Sequence, residues 1–129
     1  MRLLLDTHAF LWFINDSPEL SAKARSFMED SSSDLLLSHA SVWEMAIKIS
    51  LGKLNTPQPF DEFIDGQLQV NQITLLHLSV QQIARLITLP FHHRDPFDRL
   101  LAVQALNEDL PLISRDSIFD TYGVQRLWL

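Results

Sequence analysis

The chain has no cysteine among its 129 residues. Disulfides, thiolate-ligated zinc and thiol nucleophiles are therefore excluded, and the composition fits a reducing, cytoplasmic setting. No apolar run approaches the ~18 residues of a membrane span, so no membrane partner is expected. The apolar start, Met1 to Leu5, meets Asp6 at once, too early for a signal peptide. Positive charge is scarce: ten Lys and Arg stand against sixteen Asp and Glu, for a formal net charge of −6. That counts against a broad basic surface for non-specific nucleic-acid binding, though not against a few local contacts. Repeats, low-complexity tracts and linkers are also missing, so residues 1–129 read as a single domain. With 47% apolar residues, such a chain can bury a core without cross-links.

Short apolar runs alternate with helical periodicity. RLLL (Arg2–Leu5), DLLLS (Asp34–Ser38), ITLL (Ile73–Leu76), PLIS (Pro111–Ser114) and VQRLW (Val124–Trp128) read as strands. The first, second and fourth are continuously apolar, as expected for parallel strands covered on both faces. Between them, four helical stripes recur with a period near 3.6. They are Leu20/Ala24/Phe27/Met28, Phe60/Phe63/Ile64, Val80/Ile83/Ala84/Ile87 and Phe97/Leu100/Leu101/Ala105. Gly52 after IKISL predicts a helix C-cap, with Pro57 enforcing the stop. Alternation of this kind predicts βαβ units and an α/β/α sandwich around a parallel sheet of four or five strands. AFLWFI (Ala9–Ile14) is apolar all round, so this helix is expected to be partly exposed at an interface with another chain.

Four acids fall at positions that such a sheet can bring together. Asp6 ends the first strand, Asp116 follows the fourth, Glu44 lies near the start of the helix after the second, and Asp98 lies in the first turn of the last large helix. Open parallel sheets bind ligands beyond the carboxyl ends of their strands. Each acid also has a purely structural reading. Asp6 can cap the next helix, Ser41-Val42-Trp43-Glu44 matches a capping box, and Asp116 can cap the turn Ser117–Phe119. Asp95-Pro96 reads as an N-cap with proline at the first helical position, placing Asp98 where the helix dipole favours an anion. Convergence shifts the balance. Carboxylates ~4 Å apart repel by about 4 kcal/mol per pair at an effective dielectric near 20, so a structural cluster needs a cation or shifted pKa values to relieve it. Oxygen ligands without Cys point to a hard ion, Mg²⁺ or Mn²⁺. Such ions in acidic pockets mostly serve phosphoryl chemistry.

Over nearly its whole length the chain resembles PIN-domain ribonucleases, specifically the VapC-type toxins of bacterial toxin–antitoxin pairs. LLLDTHAFLW resembles the family's first motif, with its acid at Asp6, and SVWEMAIK the second, at Glu44. HHRDPFDRLLAVQA resembles the third, at Asp98, and LISRDSIFDTYGV the fourth, at Asp116, where Asp120 competes. The resemblance implies a five-stranded parallel sheet and Mg²⁺- or Mn²⁺-dependent RNA cleavage leaving a 5′-phosphate. It further implies a homodimer, inhibition by a cognate VapB-type antitoxin, and contact with DNA only through that antitoxin.

Other polar residues have secondary parts. Thr7 has a hydroxyl placed to orient a carboxylate or a bound water, and Asp95 is an additional acid read as a cap. Arg94, Arg99 and Arg115 flank the acids and could reach RNA phosphates. His8, His39, His92 and His93 read as solvated or loop histidines. A non-catalytic PIN-fold or receiver-like interaction module is the alternative. A receiver needs an acidic pair after the first strand and a lysine after the last, and both are missing. A haloacid-dehalogenase-type phosphatase would need D-x-D where this chain has Asp6-Thr7-His8.

Overall fold

Three consecutive leucines place strand β1 (Arg2–Leu5) at the centre of the molecule: Leu3, Leu4 and Leu5 are all fully buried. Side chains alternate across a strand, so Leu3 and Leu5 enter one apolar core and Leu4 the other. The computed structural model describes all 129 residues, Met1–Leu129. Its other strands are β2 (Asp34–Ser38), β3 (Ile73–Leu76), β4 (Leu112–Ile113) and β5 (Arg126–Leu127). They form one five-stranded sheet in the order β3-β2-β1-β4-β5, parallel throughout.

Helices cover both faces. The first core packs α1 (Thr7–Ile14), α2 (Ala22–Glu29), α3 (His39–Ser50) and α4 (Phe60–Val70) against the sheet, through Phe10, Met28, Met45 and Ile64. The second packs α6 (Pro96–Asn107) and the 3₁₀ segment Ser117–Tyr122, through Leu101, Ala102, Ala105 and Phe119. Each fully buried leucine contributes roughly 1.5–3 kcal/mol. Two cores on one sheet are the expected three-layer sandwich. No helix is long and apolar enough to cross a membrane.

Several local expectations shift. The fourth and fifth strands narrow to two residues each, although extended pairing continues at their ends through Leu4 N–H to the Pro111 carbonyl and Ser114 N–H to the Leu127 carbonyl. Pro111 itself has no N–H to give. The stripe Val80/Ile83/Ala84/Ile87 does not face the core. Here α5 (Val80–Ala84) is a short helix that runs into a 3₁₀ turn, Arg85–Ile87, and Val80 and Ile87 are over 80% exposed. Its inward residue is Gln82, which closes a capping box with Ser79 and meets Gln104 on α6. Those polar contacts set the rotation of a helix too short for apolar burial to do so.

The capping box expected at Ser41–Glu44 is also absent. The Ser38 hydroxyl accepts the Ala40 N–H at 3.0 Å, so α3 starts directly from β2, three residues early. Ser41 then lies inside the first turn, buried, with its hydroxyl unpartnered. Gly52 behaves as expected: at φ 72° it lets its own N–H reach the Ile49 carbonyl and Lys53 N–H the Lys48 carbonyl, a Schellman closure. Leu11 to Ile14 of α1 are half-buried against the first core.

Candidate metal centre

The direction in which successive strands are added reverses between β1 and β4, since β2 and β3 extend one way from β1 and β4 and β5 the other. Ligand crevices open at such a switch point, beyond the carboxyl ends of the strands. Asp6 stands there at the end of β1, its N–H bonded to the Ile113 carbonyl of β4 at 3.1 Å. It caps α1, with Oδ1 accepting the Ala9 N–H at 2.7 Å. The cap and the cavity lining are the same carboxylate, because the cap engages Oδ1 alone.

Glu44 reaches the same crevice from the second turn of α3. Both of its oxygens are engaged: Thr7 Oγ1 donates to Oε1 at 2.7 Å and Lys48 Nζ lies 2.9 Å from Oε2. Thr7 thus orients a carboxylate. Asp98 arrives from α6, whose N-cap Asp95 accepts the Phe97 and Asp98 N–H groups at 2.8 and 3.3 Å with Pro96 at the first helical position. Asp116 follows β4; its Oδ1 accepts the Ile118 N–H at 3.0 Å, and its own N–H donates to the buried Ser114 hydroxyl at 3.1 Å.

Asp6, Glu44, Asp98 and Asp116 together line a cavity of about 130 Å³, with Asp95, Thr7, His8 and Lys48 completing its wall. A larger cleft of about 360 Å³ shares Asp6, His8 and Asp116 with it and adds Trp12, Arg115 and Ser117. The acids therefore sit at the closed end of an open groove. Asp120 is elsewhere: its carboxylate holds Arg126 with two contacts of 3.0 Å, which keeps it below the usual carboxylate range. Asp116 lines the cavity and Asp120 does not.

Electrostatics mark the cavity. Burial pushes the Asp6 carboxyl above its usual range, and Glu44 adds to the push; hydrogen bonds from Ser114 and Ala9, and the nearby His8, oppose it. Asp98 is pushed up to about 7, by burial first, then by the charge of Asp95, with His93 opposing and Glu44 and Asp6 adding. A small cavity with four carboxylates on its wall, two of them pushed up by burial and repulsion, fits a hard divalent cation, whose charge would relieve both.

The arginines divide. Arg99 is not available for a phosphate: it is buried, donates to the Leu86 and Leu89 carbonyls at 3.3 and 2.9 Å, and stacks on Phe91. It holds the segment before α6, and its place on that helix's inner face takes it away from the cleft. Arg115 lines the cleft and pairs with Glu19 at 2.8 Å. Arg94 is exposed beside Asp95. Of the histidines, His8 stacks on Trp12 and His39 packs edge-on against His77.

Three partners of the acids fall outside the sequence expectations, and of these only Lys48 lines the cavity. Lys48 could have been found from its i,i+4 spacing to Glu44. Ser114 had no signal beyond ending a strand. His93 was read as a loop residue only, yet its Nε2 lies 2.9 Å from Asp98 Oδ2 and 3.4 Å from Asp116 Oδ2.

The family model described as PIN domain matches residues 3–125. The chain belongs to the PIN domain family. Among curated proteins, Ribonuclease VapC16 of Mycobacterium tuberculosis is 38% identical over 56 residues, so the match spans 40% of each chain. Among solved structures, VapBC2 from Rickettsia felis bound to a promoter DNA fragment matches at 16% identity and TM-score 0.74, covering 100% of both chains. VapBC-1 from nontypeable Haemophilus influenzae matches at 19% identity and TM-score 0.65, covering 98% of this chain and 97% of that one. At those identities the likeness is one of fold. Within this PIN domain, the four acids occupy the carboxyl edge that the switch point opens.

Proposed function

We propose that this PIN-domain chain is an endoribonuclease dependent on Mg²⁺ or Mn²⁺, acting as the toxin of a toxin–antitoxin pair. One observation carries the reading: four carboxylates from four separate elements line a single cavity at the switch point. Asp6, Glu44, Asp98 and Asp116 would hold the ion. When bound, it supplies Lewis acidity and a lowered pKa for an attacking water.

The protein's own groups supply the rest. Thr7 and Lys48 fix both oxygens of Glu44, so that carboxylate cannot swing away from its neighbours. The Asp95 cap fixes the first turn of α6 and with it Asp98. Arg115, on the cleft wall with Trp12, is positioned for a phosphate of the RNA backbone, and Arg94 for a flanking one. Cleavage leaves a 5′-phosphate and forms no covalent intermediate with the protein.

Support for the toxin role comes from the partial likeness to a ribonuclease named VapC16 and from the fold shared with chains of VapBC complexes. A VapB-type antitoxin would cover the half-exposed α1 and close the acidic cleft beside it. DNA contact would then come only through the antitoxin. The protein would act as a cytoplasmic homodimer.

RNA cleavage with and without EDTA, with folded Asp98→Asn as control, tests the proposal. Cleavage that needs added Mn²⁺ or Mg²⁺ and is lost in the variant is expected. A variant that cuts as fast as the parent would refute it. An intact chain that binds Mn²⁺ yet cuts no RNA would favour a non-catalytic interaction module.

A further inference from the structure

We propose that His93 is a positioning residue whose Nε2–H bridges Asp98 and Asp116 and holds the fourth carboxylate in the cavity. The inference rests on the metal-site reading above and adds a residue to it.

His93 is held once at its backbone and once at its ring. The His93 backbone N–H donates to the Tyr122 hydroxyl at 2.9 Å, and Nδ1 accepts the Asp95 N–H at 3.1 Å. A neutral imidazole has one donor and one acceptor nitrogen. Facing a backbone N–H, Nδ1 must be the acceptor, so the proton is on Nε2. That nitrogen lies 2.9 Å from Asp98 Oδ2 and 3.4 Å from Asp116 Oδ2, within reach of both carboxylates.

His93, Asp98 and Asp116 offer potential ligand atoms within 4.8 Å of one another, which on distance alone would suggest a mixed nitrogen–oxygen metal site. The tautomer argues otherwise. A metal-bound imidazole gives its second N–H to an acceptor, leaving the ligating nitrogen bare. Here the nitrogen that faces the carboxylates has no lone pair to offer while the Asp95 contact stands. His93 therefore supports the ligands rather than joining them.

Asp116 is the carboxylate that needs such help. Its side chain is 48% exposed, and the Ile118 N–H engages Oδ1 alone. Arg126, which could draw it outward, is committed to Asp120. His93 ties the segment after β4 to the first turn of α6 and so sets the width of the cavity. Asp95 has two separate tasks in this arrangement: its carboxylate caps α6, and its N–H selects the imidazole tautomer.

The test compares the parent with His93→Ala, His93→Gln and Asp98→Asn, using Mn²⁺ alone as probe. In the metal-free parent, long-range ¹⁵N spectra should identify His93 as the Nε2–H tautomer. Calorimetry should show Mn²⁺ binding weakened about 10- to 100-fold in His93→Ala, the usual range for removing a partner of a metal ligand. Binding should be largely restored in His93→Gln, whose amide N–H₂ can reach the same oxygens. Pulsed EPR of the Mn²⁺-loaded parent should lack the strong ¹⁴N coupling of a directly bound imidazole. An Nδ1–H tautomer, a strong ¹⁴N coupling, or unchanged Mn²⁺ affinity in His93→Ala would each overturn the proposal. Loss of Mn²⁺ binding in Asp98→Asn checks the underlying site independently. If the parent binds no Mn²⁺, that reading falls, and the tautomer alone decides whether His93 donates. Should His93→Ala fail to fold, the Gln variant and the parent spectra still decide.

Discussion

On the outer surface, acids stand beside guanidinium groups: Asp16 with Arg25 at 2.9 Å, Glu19 with Arg115 at 2.8 Å, Asp120 with Arg126 at 3.0 Å. At the carboxyl edge of the sheet, Asp6, Glu44, Asp98 and Asp116 share one cavity, and Lys48 and His93 are their close cationic or polar partners. The surface pairs are solvated, and water screens their attraction so that each contributes little. The edge cluster opposes folding, because burial and mutual repulsion raise two of its carboxyls. Each of those surface carboxylates has its own guanidinium, whereas the four edge carboxylates crowd together with one lysine among them.

The sharpest way to break this contrast is Asp98→Asn. RNA cleavage should fall by more than the ~100-fold typical of losing an indirect metal partner, measured as initial rates at saturating Mn²⁺. An equal loss from Asp120→Asn would erase the distinction between the two regions.

A second effect concerns stability without metal. An unfolded aspartate titrates near 3.9, whereas Asp98 in the fold is pushed up to about 7. Between those values the folded protein holds a proton that the unfolded chain has lost. Stability should therefore fall as pH rises from about 4 to about 7, by at most about 1.4 kcal/mol per pH unit from this residue. The raised Asp6 acts in the same direction. Urea midpoints across that range, parent against Asp98→Asn, should show a flatter profile in the variant and greater stability at pH 8. A parent profile as flat as the variant's would remove the strain from the account.

Smaller effects sharpen the division. Asp95→Ala should cost about 1 kcal/mol through loss of the α6 cap, read from the urea midpoint, with less loss of cleavage than at Asp98. Asp120→Asn should leave the urea midpoint nearly unmoved and cleavage unchanged.

The same contrast separates what was legible in the sequence from what was not. Strands β1 and β2 follow from continuous apolar runs, since a run covered on both faces has little freedom in where it lies. The four acids could be assigned to one edge because strand ends and helix starts are local signals. The Asp95 cap and the Gly52 stop are equally local. Arg99 was misjudged because its proximity to Asp98 in sequence hides that a helix turns the two apart. The α5 stripe failed because Gln82 and Gln104, twenty-two residues apart, fix that helix's rotation. His93 depends on Asp95, Asp98, Asp116 and Tyr122 at once, and no periodicity encodes such a meeting.

Thermal melting at pH 8 against rising Mn²⁺ tests the central claim most directly, since a ligand that binds only the folded state raises the midpoint with its concentration. The parent's midpoint should climb steadily with Mn²⁺, and that of Asp98→Asn, starting higher, should stay nearly level. A parent that does not respond, or a variant that climbs in parallel with it, would contradict the account.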